Sequence, residues 1–89
     1  MKETDVIVLN RAGLHARPAS LIAGIAEKSS SAVKLCFGDD CANAKSIMGI
    51  ISLAATYGTK LTLIVEGPDE EATLKEIAAL FDGRFTEQS

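Results

Sequence analysis

The sequence predicts a small α+β fold, with helices packed on one face of a sheet and elements in the order β-α-β-β-α-β-α. Three observations carry this. β-branched or alternating runs recur at residues 4–9, 32–37 and 60–66, and three segments with apolar residues at helical spacing separate or follow them. Between two of the strands, Gly38-Asp39 is a two-residue hairpin signal with glycine first. The 89 residues suffice for one domain (1–89) with one core. Phe37, Tyr57, Phe81 and Phe85 are the only aromatic residues, so an aliphatic core is expected.

Residues 4–9 contain the run Val6-Ile7-Val8 and read as a buried strand, followed by the loop Asn10-Arg11-Ala12-Gly13. A helix is expected over residues 16–28, where Leu21, Ile22, Ile25 and Ala26 follow helical spacing, and Ser29-Ser30-Ser31 ends it. Residues 32–37 alternate, with Val33, Leu35 and Phe37 on one face and Lys34 and Cys36 on the other. Residues 40–44 form the returning strand. Ser46 starts a short helix to about residue 54, with Ile47, Ile50, Ile51 and Ala54 as its apolar positions. Tyr57-Gly58-Thr59 is a turn into the strand at 60–66. Gly67-Pro68-Asp69 introduces the last helix, which Asp69 is placed to cap and Gly83 to stop; Glu70 and Glu71 favour its positive end. Leu74, Ile77, Ala78 and Phe81 line its inner face.

Net charge is −3 without a long run of one sign, which argues against a nucleic-acid binder. Arg11, Arg17 and Lys45 form at most a local basic area around the histidine. No apolar stretch approaches the roughly 20 residues that cross a bilayer. The start, Met1-Lys2-Glu3-Thr4-Asp5, lacks the layout of a signal peptide, so a cytoplasmic protein with no membrane partner is expected.

His15 is the only histidine. It falls at the N-cap of the first helix, and Pro18 supports that register because proline is tolerated in a first turn. The backbone N–H groups of Ala16 and Arg17 then point at whatever His15 carries, and the positive helix end favours an attached anion. Arg17 adds a fixed charge and a planar donor fork suited to phosphate oxygens. A histidine near a helix start is often only a surface residue. Here Gly13 allows a close backbone approach and no other residue competes as nucleophile or general base. One histidine and no Cys-x-x-Cys spacing offer no metal site, and the parts of a hydrolase triad are missing. No cofactor is expected.

Two segments resemble a known family in register. Gly13-Leu14-His15-Ala16-Arg17-Pro18-Ala19 is similar to the active-centre signature of the histidine-containing phosphocarriers (HPr) of the bacterial phosphoenolpyruvate phosphotransferase system. Asn43-Ala44-Lys45-Ser46-Ile47-Met48-Gly49-Ile50-Ile51-Ser52-Leu53 is similar to the family's second signature. The likeness runs over nearly the whole chain. It implies an open-faced β-sandwich, a four-stranded antiparallel sheet covered on one face by three helices. It implies a carrier that takes a phosphoryl group on Nδ1 of His15 from enzyme I and passes it to IIA proteins, with Arg17 assisting, rather than an enzyme. Ile47, Met48 and Ile51 fall where the family places part of its docking patch. Gly24 and Glu27 stand where family members often carry lysine, and the ending around Ile77 to Phe85 resembles the nitrogen-related paralogue NPr.

Ser46 is a natural N-cap whose hydroxyl serves the helix. The resemblance adds a regulatory phosphorylation site for an HPr kinase/phosphorylase. Phosphate there would be tolerated at a helix N-terminus yet would repel an acidic partner surface. Ile50, Leu53 and Ala54 are expected inside, with Ile47, Met48 and Ile51 at least partly exposed. Cys36 and Cys41 are expected to oppose each other on the solvent face as two ordinary thiols, the alternative being a strained cross-strand disulfide or a redox sensor. A monomer acting on successive partners is the leading functional reading. A non-transferring regulatory module, controlled at Ser46 and bound to a transcriptional or metabolic partner, is the second; a plain interaction domain is the third. His15 separates them, because only the carrier needs it.

Overall fold

Leu61, Leu63 and Val65 alternate with Thr62 and Ile64, and this two-residue period lets one strand bury one face while sitting inside a sheet. In the computed structural model, which describes residues 1–86, that strand has neighbours on both sides. The elements are β1 (Lys2–Ile7), α1 (Ala16–Lys28), β2 (Ala32–Phe37), β3 (Asp40–Asn43), α2 (Ile47–Ser52), β4 (Lys60–Glu66), α3 (Glu70–Asp82) and a 3-10 turn (Arg84–Thr86). The four strands run β1-β4-β2-β3 and every neighbouring pair is antiparallel. The register pairs Val6 with Leu61 and Thr4 with Leu63 on one side of β4, and Leu35 with Leu63 and Val33 with Val65 on the other. All three helices cover the face that carries these residues, leaving the other face open. The fold is the α+β open-faced sandwich expected. Among the described residues no helix is long and apolar enough to cross a membrane.

The core lies between sheet and helices, built from Val8, Ile22, Leu35, Ile50, Leu61, Leu63, Val65 and Ile77. It is not purely aliphatic. Phe81 and Phe85 are buried edge-to-face, ring centroids 4.9 Å apart, because the 3-10 turn after α3 folds the chain back under its own helix.

Local differences from the expected elements have physical reasons. β1 runs from Lys2 to Ile7, two residues earlier than its apolar run suggests, and only Val6 in it is buried. It is an edge strand with one face open, so it alternates. Phe37 is 44 % exposed at the hairpin tip, beyond the helical layer, and β3 ends at Asn43. Ala54 is exposed rather than inside: it takes a left-handed conformation (φ 54°) just past α2, at the bend that leads the chain into the buried Ala55. Asp69 occupies the N-cap position of α3 without a side-chain cap bond. Its carboxylate instead accepts Ser29 Oγ, Ser31 Oγ and the Ser30 N–H, tying the end of α1 to the start of α3. The serine hydroxyls and N–H hold it below the usual carboxylate range, with Ser31 contributing most.

The two cysteines are not free thiols. Cys36 and Cys41 are directly paired across β2 and β3 and joined in a disulfide. The ladder bond from Ala44 N to Val33 O sets the alternation, so the 36–41 pair falls at a non-hydrogen-bonded position, where facing residues come closest. Their Cα atoms are 4.0 Å apart. Cys41 is exposed as expected, whereas Cys36 is buried, with 7 % of its surface accessible.

Candidate functional site

The loop from Asn10 to Leu14 connects the first strand to α1, and its own residues fix its shape. Asn10 is buried and its side-chain amide donates to the Gly13 carbonyl at 2.7 Å, while the Gly13 N–H returns to the Asn10 carbonyl at 3.1 Å. Gly13 sits at φ 76°, a region other residues rarely adopt, and a Cβ there would lie 2.7 Å from the Ala55 carbonyl oxygen. Glycine is what lets the two backbones meet. Beside it, Leu14 buries its side chain and donates its N–H to the Ala55 carbonyl at 3.0 Å.

This arrangement delivers His15 to the N-cap of α1 in extended conformation (φ −91°, ψ −166°), exposed and without a side-chain cap bond. The imidazole is therefore not spent on its own helix. The first intrahelical bond runs from Ala19 N to His15 O at 3.0 Å. Ala16 and Arg17 precede it in the first turn, and Pro18 has no N–H, so two backbone donors face the site. Arg17 extends one guanidinium nitrogen, Nη2, to the Phe85 carbonyl at 2.9 Å. That uses one of its five N–H donors and anchors the side chain.

Ser46 is the N-cap of α2, its hydroxyl accepting the Gly49 N–H at 3.0 Å, and it is exposed. Ile50 is fully buried beneath it, whereas Ile47 and Met48 are 41 % and 70 % exposed and Ile51 is half-buried. The expected exposure of Ile47, Met48 and Ile51 and the burial of Ile50 and Leu53 hold; Ala54 is the exception. The C-terminal end of α2 runs into Ala55, the abutment of the His15 loop, so helix and loop form one continuous edge. Ser46 stands at the opposite end of α2, about 9 Å away by helical rise.

The structure thus joins His15, Ala16 and Arg17 and sets Ile47, Met48 and Ile51 on the neighbouring helix. Lys45 is not part of the basic area at His15: its ammonium reaches the Ser29 carbonyl, beyond the far end of α1. Three residues that shape the site escaped sequence reasoning. Asn10 carried a faint signal, as the polar residue between an apolar strand and a glycine. Ala55 and Phe85 act through backbone carbonyls, to which side-chain identity gives no clue.

Comparison with known proteins shows one family. The family described as "PTS HPr component phosphorylation site" matches residues 2–82. The phosphocarrier protein HPr of Treponema pallidum is 51 % identical over 83 residues, covering 93 % of this chain and 94 % of that protein. The HPr-like protein Crh of Bacillus subtilis is 44 % identical over 79 residues, covering 89 % and 93 %. Among solved structures, HPr from Thermoanaerobacter tengcongensis superposes with a TM-score of 0.94 at 42 % identity, covering all of both chains.

Proposed function

The chain belongs to the HPr family of phosphocarriers of the phosphotransferase system, and from that premise we propose that His15 is its phosphoryl relay. A lone pair of the His15 imidazole, on Nδ1 by family resemblance, attacks the phosphorus of phospho-enzyme I. The new N–P bond forms as the donor's bond to phosphorus breaks. Transfer to a IIA protein, of a sugar or nitrogen-related branch, reverses the roles. The chain works as a stoichiometric monomer in the cytoplasm, and catalysis of transfer belongs to its partners.

The observation that carries this reading is the free start of α1. An exposed imidazole stands beside the Ala16 and Arg17 N–H groups, and the helix's positive end adds to their pull on the phosphoryl oxygens. Arg17, held by Phe85 through one donor, keeps the others for the same oxygens. These contacts hold an anion without enclosing it, which suits a group that must leave again. Ile47, Met48 and Ile51 supply a flexible apolar face on which successive partners repack.

Ser46 is the proposed control point, modified by an HPr kinase/phosphorylase. A phosphate at this N-cap adds about −1.5 to −2 charges on the rim of the docking face. Since Ser46 is a helix-length from the His15 loop, the charge acts on the incoming partner rather than on the imidazole. Ser46→Asp is expected to slow transfer while leaving the fold intact; an unchanged rate removes the electrostatic argument. The exposed Ser46 cap also favours a second reading, a regulatory module that binds a transcriptional or metabolic partner without transferring phosphate.

The deciding experiment mixes the protein with enzyme I and labelled phosphoenolpyruvate. Acid-labile label on wild type and none on His15→Ala is expected. No label on wild type, or equal label on both, defeats the relay.

A further inference from the structure

The Cys36–Cys41 bridge lies outside the transfer site, on the open face of the sheet. It joins facing positions of a hairpin already closed by strand pairing, and the core residues Val33 and Leu35 point to the opposite face. A cross-link over five residues removes little freedom from the unfolded chain compared with a long loop. The fold therefore does not depend on it, and both oxidation states can share one architecture.

The two sulfurs are not equivalent. Cys36 is buried, paired on its other side with Thr62 of β4, whereas Cys41 is exposed on the edge strand. Cys41 lines a groove of about 380 Å³ with Lys34, Asn43 and Lys45. The positive charge of Lys34, on the same groove as Cys41, draws an anionic thiolate towards the exposed sulfur, while the Lys45 ammonium at the groove's other side reaches the Ser29 carbonyl. In the reducing compartment proposed above, disulfides are transient and catalytic or redox-sensing rather than structural.

We propose that Cys36–Cys41 is a reversible thiol–disulfide exchange site, entered at Cys41 through the lysine-flanked groove by an anionic low-molecular-weight thiol such as glutathione. The thiolate attacks Cys41 Sγ, forming a mixed disulfide, and Cys36 leaves as a thiolate that takes a proton. A second thiol attacks the thiol-derived sulfur of the mixed disulfide, releasing Cys41, which is protonated in turn. Two thiols are oxidised to one disulfide, and the protein gains two electrons and two protons. β3 is the edge strand and leads through Asn43, whose side chain accepts the Lys45 N–H, into the Ser46 cap. Reduction removes the cross-link from this edge strand and leaves its backbone pairing with β2 in place.

The test measures reduction of the native, air-oxidised protein by glutathione and by neutral 2-mercaptoethanol, counting alkylated thiols by mass. Zero thiols before reduction and two after it, with an unchanged circular dichroism spectrum, are expected. Lys34→Glu should lower the glutathione-to-mercaptoethanol rate ratio at least about threefold at low salt. In single-cysteine variants, Cys41 (in Cys36→Ser) should react with an aromatic disulfide at least about tenfold faster than Cys36 (in Cys41→Ser). Two free thiols in the air-oxidised protein, a bridge reducible only after unfolding, or a reduced form that loses its fold would overturn the exchange site. An unchanged ratio in Lys34→Glu or equal cysteine rates would overturn the route of entry.

Discussion

Gly13→Ala tests whether the His15 loop is held by a close approach of two backbones. Gly13 has φ 76°, where an alanine is disfavoured by about 1–2 kcal/mol. Its Cβ would stand 2.7 Å from the Ala55 oxygen and 3.2 Å from Thr56 Cα, both backbone atoms that cannot swing away as a side chain can. Relieving the contact requires the loop and the end of α2 to separate. That weakens the 3.0 Å bond from Leu14 N to Ala55 O and leaves a buried donor unsatisfied, a further loss of about 1–3 kcal/mol. The expected destabilisation is therefore roughly 2–5 kcal/mol. For a domain of this size that lowers Tm by about 8–40 °C.

Urea unfolding followed by far-ultraviolet circular dichroism measures the effect, and Gly24→Ala is the internal control. Gly24 lies mid-helix on the exposed side of α1, and a Cβ there meets nothing within 4 Å. The same substitution should stabilise that position by roughly 0.5–1 kcal/mol. Opposite signs at two glycines separate local backbone demand from any general effect of alanine. A Gly13→Ala protein within about 0.5 kcal/mol of wild type would refute the close-approach argument.

Other substitutions probe the remaining devices. Ala54→Gly should stabilise the protein by about 1 kcal/mol, read from the urea midpoint, because glycine accepts the left-handed conformation (φ 54°) without strain. Ser46→Ala removes the acceptor of the Gly49 N–H and should lose about 1 kcal/mol, whereas Ser46→Asp keeps a capping oxygen and should lose less in the same assay. Asp69, held below the usual carboxylate range, contributes stability that is present above its unfolded pKa near 4 and lost as pH falls through its lower folded value. Thermal melts of Asp69→Asn from neutral to acid pH should accordingly show a flatter loss than wild type; parallel curves would contradict the serine–carboxylate clasp.

Helices α1 and α3 and strands β2 and β4 were legible because each combines a clear period with clear punctuation. Gly38-Asp39 marks the hairpin, and Ser46 marks the start of α2. Less legible were features decided by the third dimension. Asp69 looks like a helix cap, yet three serines from Ser29 to Ser31 outcompete its own helix for the carboxylate. Cys36 and Cys41 looked like ordinary thiols because compartment statistics outweighed register, although the two-residue turn already set them face to face. His15 could be placed from local signals alone, since a helix start is written in adjacent residues. The contacts that steady it could not. Ala55 and Phe85 reach the site from far along the chain.

Those two distant contacts share a property that bears on how the site is built. Among the described non-glycine residues, positive φ occurs at Ala54, Arg84 and Phe85. Ala54 immediately precedes the residue whose carbonyl receives Leu14, and Phe85, preceded by Arg84, carries the carbonyl that receives Arg17. Each left-handed residue is disfavoured locally, and such conformations persist only where surrounding packing over-determines them. At Phe85 the packing is plain: its ring is fully buried against Phe81, so the chain accepts the turn to keep the ring inside. Aromatic burial at one end of the core thereby aims a backbone carbonyl at Arg17. Phe85→Ala should release both the ring and the carbonyl, so its effect on phosphoryl transfer should exceed that of an equally destabilising cavity elsewhere, such as Ile77→Ala, when both are assayed well below their Tm. Equal transfer rates for the two variants would show that the Arg17 tether has no part in the relay.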